Sequence, residues 1–184
     1  MVHFLTVPFV LSRLEAPTIS PGAMVLCRCP GLRGDGDQTM HPGDPVALDS
    51  DLRRIIDGGA SILISLIGSE ERARLGVSGL PARAVETGLA WQEFAITDRT
   101  APNHERQSEF TALMRYISAA LSDGNIIAVH CQAGIGRTGL VAASTLVWRG
   151  MSQDDAIMTV RTARPGAIET AEQEAFVRSL KVTG

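Results

Sequence analysis

The sequence predicts an α/β domain with a central, mostly parallel sheet flanked by helices, and three observations lead there. Two short apolar runs bounded by turn residues, 61–67 (Ser-Ile-Leu-Ile-Ser-Leu-Ile) and 126–129, read as buried strands. The segment 103–121 between them has helical spacing, with Phe110, Leu113, Met114 and Ile117 on one face. Strand and helix alternate along most of the chain, the pattern of parallel strands joined by helical crossovers.

Taken in order, the first 45 residues read as short strands and turns, the run 4–11 pairing with 23–27. A loop rich in Gly, Pro and Asp follows over 30–45. Its Gly34-Asp35-Gly36-Asp37 has only a superficial likeness to a calcium loop, because the further ligands and the distal Glu are missing, so it reads as a turn. Asp49 or Ser50 caps a helix running through Ile56 and ending at Gly58-Gly59. After the 61–67 strand, Ser69 opens a short charged helix with Glu70, Glu71 and Arg72 in its first turn. A strand over 89–96 precedes the 103–121 helix, which Asp123-Gly124 breaks. The 126–129 strand then leads into two or three closing helices, one of them starting at Ser152, a good cap, with Asp154-Asp155 in its first turn. The expectation is one domain over 1–184, with an N-terminal strand and loop region over about 1–45 and a core over 46–184.

Composition narrows the function. The chain has 184 residues, 45% hydrophobic and 20% charged, which is ordinary globular usage. A net charge of -3 leaves no basic excess to hold a nucleic-acid backbone. The apolar stretch 1–11 lacks a basic start and is broken by Pro8, and no run reaches about 18 apolar residues, so neither a signal peptide nor a membrane span is read. Three cysteines, Cys27, Cys29 and Cys131, suit a reducing compartment better than a disulfide framework. No metal-ligand spacing surrounds Cys27 and Cys29. A cytoplasmic protein without metal or cofactor is expected, its oligomeric state unread.

In parallel sheets ligands sit beyond the carboxyl ends of the strands. There the chain reads His130-Cys131-Gln132-Ala133-Gly134-Ile135-Gly136-Arg137-Thr138-Gly139. A cysteine ends a buried strand and an arginine begins a helix. Two glycines between them let the backbone curl so that successive N–H groups point inward. The helix N-terminus adds positive potential, and Arg137 offers a planar fork to two oxygens of an oxyanion. The result is an anion cradle, formed by 132–137, with a thiol at its floor. Such surroundings favour thiolate over thiol. Thr138 is placed to donate a hydroxyl hydrogen bond to the sulfur, and His130 to order the loop through backbone contacts. A dinucleotide site on Gly134-x-Gly136-x-x-Gly139 would need a further strand ending in an acidic residue, where a helix is read instead. A nucleotide P-loop would need Lys-Ser/Thr where Leu140-Val141 stands.

His-Cys-x-x-Gly-x-x-Arg-Thr-Gly at 130–139 resembles the signature of the cysteine-based protein tyrosine phosphatases. Phe94-Ala-Ile-Thr-Asp98-Arg-Thr-Ala-Pro102 resembles that family's mobile acid loop. Arg164-Pro-Gly-Ala-Ile-Glu-Thr170, with Gln173 and Phe176, resembles the C-terminal segment of some dual-specificity members. With Gly31-Leu32 and the helix after Gly139, the pattern is most similar to the kinase-associated phosphatase (cyclin-dependent kinase inhibitor 3) branch, over roughly 25–180. The resemblance implies metal-free phosphoester hydrolysis. Cys131 forms a phosphocysteine, Asp98 acts as acid and then base, and Arg137 with the loop N–H groups stabilises the oxygens. Asp98 also reads as an ordinary turn residue, and Asp123 is its nearest rival. Gln173 positions water in this reading or is an exposed helix residue in the plainer one.

Between Cys131 and Arg137 no side chain is basic, which tilts away from polyphosphorylated substrates. The expectation is a dual-specificity protein phosphatase with a phosphorylated protein or peptide as partner. A phosphatase of a small metabolite or lipid headgroup, and a catalytically silent phosphate-binding module, remain the alternatives.

Overall fold

The computed structural model describes residues 8–34, 40–41 and 43–182. In chain order these form β1 (Ser12–Leu14), a 3-10 turn (Pro17–Ile19), β2 (Ala23–Cys27), β3 (Arg33–Gly34), β4 (Met40–His41), α1 (Pro45–Asp57) and β5 (Ala60–Ser65). There follow α2 (Ser69–Arg74), α3 (Leu80–Glu86), β6 (Ala90–Glu93), a second 3-10 turn (His104–Arg106), α4 (Gln107–Ser122), β7 (Ile126–His130), α5 (Gly136–Trp148), α6 (Gln153–Ala163) and α7 (Ala171–Ser179).

Five strands make one sheet in the order β1-β2-β7-β5-β6. β2, β7, β5 and β6 run parallel, and β1 is the antiparallel edge. The α/β expectation is therefore met. Register does the positioning: Cys27 pairs with His130, His130 with Ser65, and Ser65 with Glu93. The four parallel strands thus end in one row, and the chain leaves the sheet at that row four times. All of β2 is buried, and α5 is buried around its whole circumference from Gly136 to Val147. A helix apolar on every side belongs inside a domain, and α5 packs between the sheet and α4, α6 and α7. Among the described residues no helix is long and apolar enough to cross a membrane.

Several element boundaries differ from expectation. The partner of β2 is Ser12–Leu14, not the apolar run 4–11, of which residues 4–7 lie outside the described residues. β1 buries only Leu14 and so leaves no apolar-run signature. The first helix begins at Pro45 and is capped by Asp44, whose side chain accepts from the Val46 N–H at 3.0 Å. Pro45 fits N1, where its missing N–H has no helical partner, while Asp49 pairs with Arg83 instead of capping. The loop over 30–45 contributes the small β3–β4 ribbon, and Asp35, Gly36 and Asp37 lie outside the described residues. Ladder pairing stops at Glu93, short of the expected 96, as the chain turns away carrying buried Phe94 and Ile96. Helix α3 was not expected, its seven residues being too short for a periodic signal.

Removing the cap tests the revised start of α1. Asp44→Ala is expected to destabilise by about 1 kcal/mol, lowering the melting temperature by roughly 2–4 °C, whereas Ser50→Ala leaves it unchanged in the same thermal scan.

Candidate active site

Where β7 leaves the sheet, residues 131–137 wrap into a loop in which every carbonyl from 131 to 135 is tied on the side away from the curl. Gln132 O accepts from the Cys29 N–H at 3.0 Å, and Ile135 O from Gly139 N–H at 2.9 Å and Ile168 N–H at 3.4 Å. Arg164 donates through Nε to Gly134 O (3.1 Å) and through Nη2 to Ala133 O (3.4 Å). Cys131 O lies 3.2 Å from His130 Nδ1, so Nδ1 carries the proton. With the carbonyls fixed outward, the loop's N–H groups are the side left for the interior of the curl. The Gly134 N–H donates to the Cys131 sulfur at 3.3 Å.

Gly134 is required twice over. Its φ is +72°, and a Cβ there would lie 2.2 Å from the Cys27 carbonyl oxygen. The end of β2 therefore presses on the loop that hangs from β7, as the shared strand row dictates.

Arg137 is 1% exposed and almost fully engaged. Nη1 donates to Glu71 Oε2 (2.8 Å) and to Ile96 O (3.0 Å), and Nη2 to Glu71 Oε1 (2.9 Å). Asp98 Oδ1 forms an ion pair with Nη2 at 3.0 Å. Nε has no partner. Burial alone pulls the Arg137 pKa down, but the Glu71 hydrogen bonds and the charges of Cys131, Glu71 and Asp98 outweigh it, and the net direction is up. Strand ends supply each part: β7 brings Cys131, β5 leads to Glu71 on α2, and β6 leads to Ile96 and Asp98. Sequence reasoning saw Glu71 only as a first-turn acid of a short helix. Its partner lies 66 residues away, and no spacing rule connects them.

The remaining expected residues fall as follows. His130 is fully buried beside Trp91, and burial pushes its pKa down to about 4, so it is neutral at ordinary pH, and its ring contacts the Cys131 carbonyl. Thr138 Oγ1 is buried without a hydrogen-bond partner, so the expected bond to the sulfur is not made. Gln173 is not an exposed helix residue. It is fully buried, its Oε1 accepting from the Glu169 N–H (2.9 Å) and Thr170 N–H (3.3 Å), and its Nε2 donating to Thr100 O (3.3 Å). Gln132, Ala133, Ile135 and Gly136 form the loop wall, Ala133 exposed and Gly136 buried. Asp123 sits at the far end of α4, away from this edge. Cys27 and Cys29 are buried free thiols, and burial pushes Cys27 up to about 12 and Cys29 well above its ordinary value.

A protein-family model described as "Polymorphic toxin system, DSP-PTPase phosphatase" matches residues 39–151. Protein tyrosine phosphatase domain-containing protein 1 of Mus musculus is 33% identical over 117 residues, 60% of this chain and 14% of that protein. Protein tyrosine phosphatase type IVA 3 of Homo sapiens is 43% identical over 49 residues, 27% of this chain and 28% of that protein. The chain thus spans less than a third of either curated relative. Among solved structures, kinase-associated phosphatase with its catalytic-site cysteine changed to serine has the same fold, with a TM-score of 0.79, 21% identity and 93% of each chain covered. The active form of Tk-PTP has a TM-score of 0.65 and 25% identity, covering 91% of this chain and 98% of that one.

Two outcomes follow from this geometry. Gly134→Ala is expected to cost about 1–2 kcal/mol from the left-handed backbone alone and more from the clash, read as a lower urea midpoint. The second concerns pH. The unfolded chain protonates His130 near 6.5 while the folded chain resists until about 4, so stability falls as pH drops through that window. The expected loss from this group is on the order of 2 kcal/mol by pH 5, and urea unfolding of His130→Gln should lose that slope.

Proposed function

The chain belongs to the DSP-PTPase phosphatase family of polymorphic toxin systems, and from that premise we propose that it hydrolyses phosphate monoesters through a phosphocysteine. One observation carries the reading. Beside the sulfur of Cys131, a curled loop with every carbonyl from 131 to 135 tied outward meets an arginine whose Nε–H is still open.

Arg137 has five N–H donors. Both on Nη1 and one on Nη2 are held by Glu71 and Ile96. Phosphate takes Nε–H and the Nη2 edge that Asp98 faces, so Glu71 aims the fork while Asp98 yields its place on Nη2 and turns to the leaving group. The Cys131 thiolate attacks phosphorus in line and forms the S–P bond. As the P–O bond breaks, Asp98 gives its proton to the departing oxygen. A water then attacks phosphorus, Asp98 takes the water's proton, and the S–P bond breaks to return thiolate and release inorganic phosphate. The loop N–H groups and Arg137 hold the equatorial oxygens through both steps.

The substrate in this reading is a phosphorylated protein or peptide, with dual specificity for phosphotyrosine and phosphoserine or phosphothreonine. The loop wall carries no charge of its own. Arg164, which lies against the loop, commits its guanidinium to Gly134 O, Ala133 O and the Ser12 hydroxyl rather than to a second phosphate. Kinship with the kinase-associated branch rests on the sequence pattern at 94–102 and 164–176, with Gly31-Leu32 and the helix after Gly139. Three free cysteines support action in a reducing compartment such as the cytoplasm.

Phosphate release from an aryl phosphate, with chelator and thiol reductant present, checks the scheme. Wild type is expected to turn over, Cys131→Ser to be inactive, and Asp98→Ala to lose on the order of 10²–10⁴-fold. Turnover by Cys131→Ser sinks the thiolate mechanism. A panel of phosphopeptides against phosphorylated metabolites decides the substrate class, and faster hydrolysis of the metabolites overturns the protein-phosphatase assignment.

A further inference from the structure

The turn that carries Asp98 is held by the segment leading into α7. Thr170 Oγ1 donates to Arg99 O at 3.0 Å, and Gln173 Nε2 donates to Thr100 O at 3.3 Å. The Ala101 N–H donates to Glu172 Oε1 at 2.9 Å. Three consecutive residues after Asp98 are thereby fixed through their backbone groups by one helical turn. The Arg99–Glu169 ion pair at 2.7 Å joins the same two segments, but it is exposed and contributes little.

The same segment grips the phosphate loop on its other side. Arg164 holds Ala133 O and Gly134 O, and the Ile168 N–H donates to Ile135 O. A Cβ on Gly139 would lie 2.6 Å from the Ile168 nitrogen, so the first turn of α5 lies directly against it.

Two residues of this junction sit in left-handed backbone, Arg99 at φ +62° and Ile168 at φ +59°. For a β-branched residue such as Ile168 this is a true outlier. Such strain persists only where the surroundings over-determine it, and it gathers at functional sites.

The geometry points to a clamp: the segment 164–173 sets the distance between the two halves of the site, and Glu172 is a positioning residue that fixes the Asp98 turn relative to Cys131. This rests on the acid role given to Asp98 above. Thr170 and Gln173 also form the capping box of α7, so their contacts serve helix stability as well. Glu172 takes no part in that capping box, and its Oε1 accepts from the Ala101 N–H.

Glu172 is therefore the position to change, with leaving-group dependence as the readout. When the P–O bond of dinitrophenyl phosphate breaks, the stable dinitrophenolate leaves without a proton, whereas the phenolate of phenyl phosphate needs the acid. Glu172→Ala is expected to lose on the order of tenfold in kcat/KM on phenyl phosphate and nothing on dinitrophenyl phosphate. Glu172→Gln, which keeps an acceptor oxygen, restores the rate, and Glu172→Ala adds no further loss in an Asp98→Asn background. Amide exchange at Ala101 accelerates in Glu172→Ala and not in Glu172→Gln. Equal slowing on both substrates, or no change on either, overturns the clamp. If Asp98→Asn is itself indifferent to the leaving group, the acid assignment has failed and the positioning role with it, even where Ala101 remains protected. A wild type that hydrolyses neither substrate overturns both readings.

Discussion

The site depends on an inversion of backbone polarity over a few residues. In a strand, N–H and C=O groups alternate sides and cancel. From Cys131 to Ile135 the carbonyls are held outward, by Cys29, Arg164, Ile168, the first turn of α5 and the His130 ring. Each buried carbonyl must find a donor, because leaving one unpaired costs about 1–3 kcal/mol. The donors therefore have to be in place before the curl can form. They come from β2's exit, from α6's end and from the segment before α7, so the fold must be assembled before the cradle exists.

Parallel topology makes that assembly compact. A row of paired residues, Cys27, His130, Ser65 and Glu93, aligns the exits of four strands. Each exit delivers something different: a carbonyl against Gly134, the thiol, the route to Glu71, and the turn with Asp98. Glu71 and Arg137 form a two-point pair with 13% and 1% side-chain exposure. Breaking one partner of such a pair leaves a buried charge behind, at a cost of several kcal/mol. The pair orients the guanidinium more than it stabilises the fold.

Much of this was legible in the sequence, for identifiable reasons. The 61–67 and 126–129 runs announced buried parallel strands, and the spacing of Phe110, Leu113, Met114 and Ile117 announced α4. Cys131, Gly134, Gly136 and Arg137 were legible because the loop is contiguous, so its chemistry is written in adjacent letters. Asp98 was singled out by the likeness of 94–102 to the family's acid loop, with its place after an apolar strand in support. Glu71, Arg164 as a carbonyl donor, and Glu172 were not, because their partners lie 66, 30 and 71 residues away. Asp44 was overlooked as a cap because Pro45 was taken for the end of a loop. Gln173 could be narrowed to two roles, and only burial excluded the exposed one.

Helix α5, which carries Arg137, is enclosed on every side, and Asp98 stands on an exposed turn secured by a few polar contacts. Local opening is easiest where few apolar contacts hold a segment and hardest in a sealed core. The turn and the helix therefore differ in how easily they open. The Asp98 turn is expected to open at lower denaturant than α5. On the acid role proposed for Asp98, opening of that turn alone takes the proton donor away while Arg137 stays in place on α5.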